Sequence, residues 1–247
     1  TAQRKDINDP AVIHEFALMI GESHYLDYLY TLTVSDIRAT SPKVWNSWKD
    51  SLLIQLYNLT RAALSKGLDN PQQQEECIKK SRTTVLKKLL ELDYKEERIK
   101  QLWSSLPEEY FIKFQIEEII GQTQAILDAY QNTELFCGAD NSIIKPIVLI
   151  KPHEERGCTE IFIYTKKQDH VFALVTATLS QQVLDVTEAK TVSSANGCTY
   201  HTYFVLEEDG SIVTDKDRIS SIKYALQERL SQEQFELPVV TQRLSRT

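Results

Sequence analysis

Thr159-Glu160-Ile161-Phe162-Ile163-Tyr164-Thr165 sets the fold of the C-terminal half. Its side chains alternate, with Ile161 and Ile163 on one face of a strand and Phe162 and Tyr164 on the other. Downstream the period changes. Residues 169–181 have helical spacing through Val171, Leu174, Val175, Thr178 and Leu179. Leu184 to Ser193 alternates again, and Asn196-Gly197 is a strong hairpin turn. Thr199 to Leu206 returns, with Tyr200, Thr202, Phe204 and Leu206 opposite His201, Tyr203 and Val205. Ile219, Ile222, Ala225, Leu226 and Leu230 mark a second helix. The order strand, helix, strand, strand, helix is ferredoxin-like with its last strand missing. Pro238-Val239-Val240 has no alternation after it to supply that strand. The expectation is an open sheet edge, unless a neighbouring segment such as Ile147 to Ile150 covers it.

Upstream of Ile147 the pattern is helical as far as about residue 130. Val12, Phe16, Met19 and Ile20 follow Asp9-Pro10, a cap residue and a proline suited to the first helical position. A second helix is expected from Ser23 to about Ala39, burying Leu26, Leu29, Tyr30, Thr33 and Ile37. Ser41-Pro42 opens a third helix with a stripe of Trp45, Trp48, Leu52, Leu56 and Leu59, and Gly67 stops it. Asn70-Pro71 opens a lysine-rich fourth. Asp93 and Glu96 read as a capping box for a fifth, and Ile116 to Tyr130 forms the last. Residues 131–145 read as a linker. The fold class is therefore α+β: a helical N-terminal part followed by a ferredoxin-like domain. The boundaries expected are 1–66, connecting helices over 67–135, and 146–247.

Composition narrows the function. Lys plus Arg total 28 against 35 Asp plus Glu, a net charge of −7. That balance argues against a nucleic-acid-binding face, which needs dense positive charge. The aliphatic runs are too short to span a bilayer. Cys77, Cys137, Cys158 and Cys198 stand far apart, form no CxxC pair and read as reduced thiols of a cytosolic protein. Lys79, Lys80, Lys87 and Lys88 lie near Glu75, Glu76 and Glu91, as a solvated helix face would place them. The start of the chain reads as a cut inside a longer polypeptide rather than a signal sequence.

No Gly-rich phosphate loop, GxSxG elbow or HExxH is present. His14 and His24 read as ordinary helical histidines. Asp36 stands out among the acids. It lies in LTVSDIRAT (32–40), flanked by Leu32, Val34 and Ile37 on a helix expected to be substantially buried. A buried carboxylate needs a partner: Arg38, a backbone group, another side chain or a metal. On residues alone a structural partner is favoured.

LYTLTVSDIRATSPKVWNSWKDSLLIQLY (29–57) resembles the end of an HD-type hydrolase domain of the bacterial PII uridylyltransferase/uridylyl-removing family. The approach segment AQRKDINDPAVIHEFA (2–17) is similar to the same family, and GCTEIFIYTKK (157–167) resembles the entry into its first ACT domain. The resemblance implies a bifunctional nitrogen sensor. One domain moves UMP from UTP to a tyrosine of the PII signal protein, the HD domain hydrolyses that bond, and ACT domains sense glutamine. Mg²⁺ or Mn²⁺ would serve both active sites of a cytoplasmic enzyme that binds neither nucleic acid nor membrane.

The resemblance carries one metal ligand onto this chain, Asp36. An HD site also uses a histidine and a His-Asp pair, and the chain contains no His-Asp dipeptide. The family's earlier ligands would lie upstream of Thr1, so this chain alone is expected to bind no metal and to catalyse neither reaction. For effector binding the resemblance points to Gln168, Asp169 and His170, the turn before the first ACT helix. His170 stands where many ACT domains place glycine, which favours the family's second ACT domain over this one for glutamine, and Asp169 is expected to cap the helix. The competing reading is a non-catalytic ACT-type module that binds a small ligand or a partner chain. An HD–ACT protein of the guanosine-tetraphosphate hydrolase type shares the module names but lacks the WNSWK segment (45–49).

Overall fold

A computed structural model describes residues 5, 7, 9–40, 45–66, 71–130 and 145–232. Its elements run α1 (Pro10–Ile20), α2 (Ser23–Thr40), α3 (Ser47–Lys66), α4 (Pro71–Glu91), α5 (Glu96–Trp103), α6 (Tyr110–Lys113) and α7 (Ile116–Ala129). These are followed by β1 (Ile147–His153), β2 (Cys158–Lys166), α8 (Val171–Gln181), β3 (Leu184–Ser193), β4 (Cys198–Glu207) and α9 (Lys216–Leu230). The helical-then-mixed α+β reading holds. The expected starts at Ser41-Pro42 and Asn70, the stop at Gly67, the linker before residue 145 and the segment around Pro238 lie outside the described residues. The chain divides into two compact units.

The first unit comprises residues 1–94, 108–120 and 154–157. Asp9 caps α1, its carboxylate accepting the Ala11 N–H at 2.9 Å, with Pro10 next in line. α3 packs against α1 and α2, and α4 against α6. Trp48, Leu52 and Leu56 of the expected α3 stripe are buried. Lys79 and Lys87 pair with Glu75 and Glu91 at long, exposed distances, consistent with a solvated α4 face.

The second unit comprises residues 95–107, 121–153 and 158–247. The expected capping box before α5 does not form: Lys95 is the N-cap residue without a side-chain cap bond, and Asp93 lies in the left-handed region at φ 63°. A left-handed Asp93 closes the turn after α4 rather than opening α5.

The sheet is antiparallel in the order β1-β2-β4-β3. β2, α8, β3, β4 and α9 give the ferredoxin-like sequence. β1 occupies the position beside β2 that the closing strand of that fold would take, paired from Ile147↔Tyr164 to His153↔Cys158. The edge at β2 is therefore filled by the segment preceding the domain, longer than the four residues read from sequence.

Both faces of the central strands are covered. On one face Ile161, Ile163, Tyr203 and Val205 join Val175 and Leu179 of α8 and Ile222 and Leu226 of α9 in one core. On the other, Phe162, Tyr164, Tyr200, Thr202 and Phe204 are also at or near zero exposure. There Gln122 of α7 donates its amide to Thr202 at 3.2 Å, and Gly121 approaches Leu149. Trp103 of α5 in turn donates its indole N–H to Thr123 of α7 at 3.2 Å. Strands buried on both sides lose the polar face of an ordinary antiparallel sheet, which is why β2 and β4 alternate between two kinds of apolar residue. Cys158 is a buried free thiol, as expected, but Cys198 is disulfide-bonded, against the expectation of reduced thiols throughout.

His201 lies in this sheet with its ring nitrogens 3.1 Å from the hydroxyls of Thr191 and Thr199. Burial pulls its imidazole down from 6.5 to about 4. Above the unfolded value both states are neutral. Between pH 6.5 and 4 the unfolded chain takes a proton that the folded chain refuses, so stability falls with pH across that window by roughly 3 kcal/mol. His201→Gln is expected to flatten this part of the stability curve, measured by urea unfolding at steps from pH 7 to 4. An unchanged slope would remove His201 as its source.

Candidate functional site

The residues expected to carry chemistry fall into two places. Asp36 lies near the end of α2, and its residue is exposed rather than buried. The reason is visible in the helix. α2 packs on α3, and its less exposed side is made of Leu26, Asp27, Tyr30, Thr33, Val34 and Ile37, which includes the expected Leu26, Tyr30, Thr33 and Ile37, adds Asp27 and Val34, and leaves out Leu29. That packed side is pinned by Tyr57 of α3, whose hydroxyl donates to Asp27 at 2.6 Å. This bond raises the pKa of the phenol, and Arg61 donates to the same oxygen at 2.7 Å. Nine residues on, at about 100° each, Asp36 faces half a turn away from Asp27.

The outward side of α2 is itself apolar. Tyr25, Tyr28, Leu29 and Leu32 are exposed by 56%, 65%, 41% and 68%, and Asp36 continues their row. α2 therefore carries two apolar stripes and has only one of them covered among the described residues. Arg38, one of the partners left open for Asp36 by the sequence, stacks over Trp45 at 4.8 Å. Among the described residues no group of three or more His, Cys, Asp or Glu is placed to hold a metal ion. Among the described residues Asp36 is a single carboxylate, too few donors by itself to hold a divalent ion.

Gln168, Asp169 and His170 form the exposed turn between β2 and α8. The structure brings these three together and leaves Asp36 in the other unit. Asp169 does not cap α8. His170 is the N-cap residue, in the left-handed region at φ 68°, ψ 5°, and has no side-chain cap bond. The chain thus adopts at His170 the backbone conformation that glycine takes most cheaply. Asp169, one residue too early, cannot reach the first free N–H groups.

One group of polar residues escaped the sequence reading. Glu118, 2% exposed, accepts from Arg156 at 2.6 Å and from the Gln115 N–H at 2.9 Å. The signal was slight: a glutamate in the first turn of a helix and an arginine beside a glycine, far apart in sequence.

Comparisons with known proteins point to one group of enzymes. The family model described as "Uridylyltransferase GlnD fifth domain" matches residues 73–125. Bifunctional uridylyltransferase/uridylyl-removing enzymes of Pseudomonas putida (strain GB-1) and Ectopseudomonas mendocina (strain ymp) are 40% and 41% identical over 247 residues. Each comparison covers 98% of this chain and 26% of the relative. Over nearly its whole length the chain is similar to bifunctional uridylyltransferase/uridylyl-removing enzymes. It spans about a quarter of the length of the curated relatives it matches. The Pseudomonas syringae pv. syringae (strain B728a) enzyme is 42% identical over 234 residues, 93% of the chain and 25% of the relative. No solved structure matches. No helix among the described residues is long and apolar enough to cross a membrane.

His170→Gly is expected to raise stability by about 1 kcal/mol, because glycine occupies the left-handed region without the Cβ penalty. Thermal unfolding should shift upward by about 2–4 °C. A downward shift would show that the imidazole makes a contact worth more than the strain.

Proposed function

We propose that this chain is the segment of a bifunctional enzyme that links its uridylyl-removing hydrolase domain to its effector-sensing domains. In this reading the intact cytoplasmic enzyme transfers UMP from UTP to a tyrosine of the PII signal protein and removes it by hydrolysis, under the control of glutamine. The observation that carries the reading is the continuous identity of about 40% to such enzymes over 98% of the chain.

The second stripe of α2 supports the assignment of residues 1–66 to the end of the hydrolase domain. Tyr25, Tyr28, Leu29 and Leu32 are too apolar for a permanently wetted helix side, and Leu18 and Met19 at the end of α1 are exposed beside them in sequence. The matched fifth domain begins at residue 73, so four domains of the relatives precede it. Helices of the fourth would cover this stripe and place the histidine and His-Asp ligands near Asp36. Asp36 then supplies one carboxylate to a Mg²⁺ or Mn²⁺ site completed from outside this chain. When bound, such an ion would supply the acidification of a water for attack on phosphorus. The role of this chain is to fix where that carboxylate stands, through the Tyr57–Asp27 bond that sets the rotation of α2 on α3. The exposure of Asp36 removes burial as an argument for a ligand, and the assignment rests on the resemblance and on the uncovered stripe.

The turn at Gln168, Asp169 and His170 is the effector-binding candidate, with glutamine as the ligand. Its exposure leaves it accessible.

Two experiments test this. In the full-length enzyme Asp36→Ala should lower uridylyl removal by at least about 100-fold, while uridylyl transfer stays near wild type. Unchanged removal would discard Asp36 as a ligand. Alone, the chain should release no UMP from uridylylated PII protein, and calorimetry should show heat with glutamine that is lost on Asp169→Ala. Silence up to millimolar glutamine would move the effector site out of this ACT unit.

A further inference from the structure

Among the described residues the sheet of the second unit ends on β1 at one margin and on β3 at the other. β1 carries Pro152, a residue that blunts an outer strand. β3 runs for ten residues, LDVTEAKTVS, with neither proline nor glycine, and has β4 on one side only. An outer strand of this kind offers unpaired N–H and C=O groups to any chain able to add a strand. Which chain fits is decided by the side chains that come to stand opposite one another.

Residues 187–191 read Thr-Glu-Ala-Lys-Thr. Laid antiparallel on its own copy about a two-fold axis at Ala189, this run complements itself. Glu188 stands opposite Lys190 of the second copy, and Lys190 opposite its Glu188. Thr187 meets Thr191, and Ala189 meets Ala189. Glu188 and Lys190 share one face of the sheet with Phe204 and Thr202, while Ala189 and Thr191 share the other with Tyr203 and His201. Moving the axis to Glu188 sets two carboxylates against each other, and moving it to Lys190 does the same with two ammonium groups. Charge therefore selects one register.

Ala189 and Thr191 are exposed. Lys190 is 2% exposed, its ammonium 3.6 Å from Glu188 and 5.1 Å from the centre of the Phe204 ring. A lysine turned inward on an outer strand ordinarily keeps other strands away. Here the second copy brings a carboxylate to each such lysine, so the charge that rejects a foreign strand accepts this one. The bulge between Val186 and Glu188, where Thr187 donates to the Phe204 carbonyl at 2.9 Å, ends the regular stretch. Pairing is confined to residues 187–191 of each copy, which keeps the association weak and reversible.

We propose that the outer side of β3 is an interaction surface for a second copy of this chain, paired antiparallel about Ala189 so that the two four-stranded sheets become one.

Sedimentation equilibrium of the chain should show a reversible exchange between one copy and two as the concentration rises toward the millimolar range. Glu188→Lys sets only positive charges across the axis and should weaken the pair by about 10-fold or more, and Lys190→Glu should do the same with negative ones. Mixed in equal amounts, the two variants should pair with each other about as well as the unaltered chain does with itself, because each charge again meets its opposite. Should Lys190→Glu not fold, the register is read from exposed positions instead. Ala189→Cys should give a covalent dimer on mild oxidation beyond any formed by the unaltered chain, since the axis sets this residue against itself, and Asp185→Cys should not. A chain that stays single up to millimolar concentration overturns the proposal. So does a dimer that Glu188→Lys leaves intact, or one that Asp185→Cys cross-links as readily as Ala189→Cys.

Discussion

The burial of β2 and β4 on both faces is the constraint on which the second unit depends. Ile161 and Tyr203 belong to the core beneath α8 and α9, while Phe162, Tyr164, Tyr200 and Phe204 are equally dry on the opposite face. A sheet of this kind cannot stand as two helices on four strands, because one face would put several aromatic rings into water. α7 is therefore part of the sheet unit and no mere connector. The Gln122–Thr202 bond satisfies polar groups that would otherwise be stranded in that interface. The family match ending at residue 125 stops within this helix. From Gly121 on, α7 and the ferredoxin-like elements belong to one unit, whatever boundary sequence similarity draws between them.

Much of this was legible before any coordinates. The change of period near Ile147, the Asn196-Gly197 hairpin and the Asp9-Pro10 start each reflect local chemistry that tertiary packing does not override. Even the double burial was written in TEIFIYT, whose two alternating sets are both apolar. The place of β1 was open, because which edge a strand joins is set by long-range pairing that a run of four aliphatics does not encode. The capping box failed at Asp93 because a residue in the left-handed region turns the chain out of capping position. Asp169 failed one residue away from the true cap for a related reason: helix starts are fixed by backbone geometry, and the side chain follows.

The candidate site was less legible than the fold. The sequence placed Asp36 on the right helix but assigned that helix a single buried stripe. Leu29 was counted inside, and Tyr25, Tyr28 and Leu32 were not recognised as a second row. A helix apolar on two sides reads from spacing much like one with a broad face. The Arg156–Glu118 pair was out of reach for a different reason, since 38 residues separate its members and neither stands in a motif. Charged pairs of this kind appear only when the chain has been folded.

The seat of β1 has a consequence for chain economy. Since an upstream segment already flanks β2, a strand arriving after α9 finds that berth taken. In this unit the border strand comes from the polypeptide ahead of the ferredoxin-like elements. A cut made at the conventional start of the domain, just before β2, would remove that border and leave the second unit frayed.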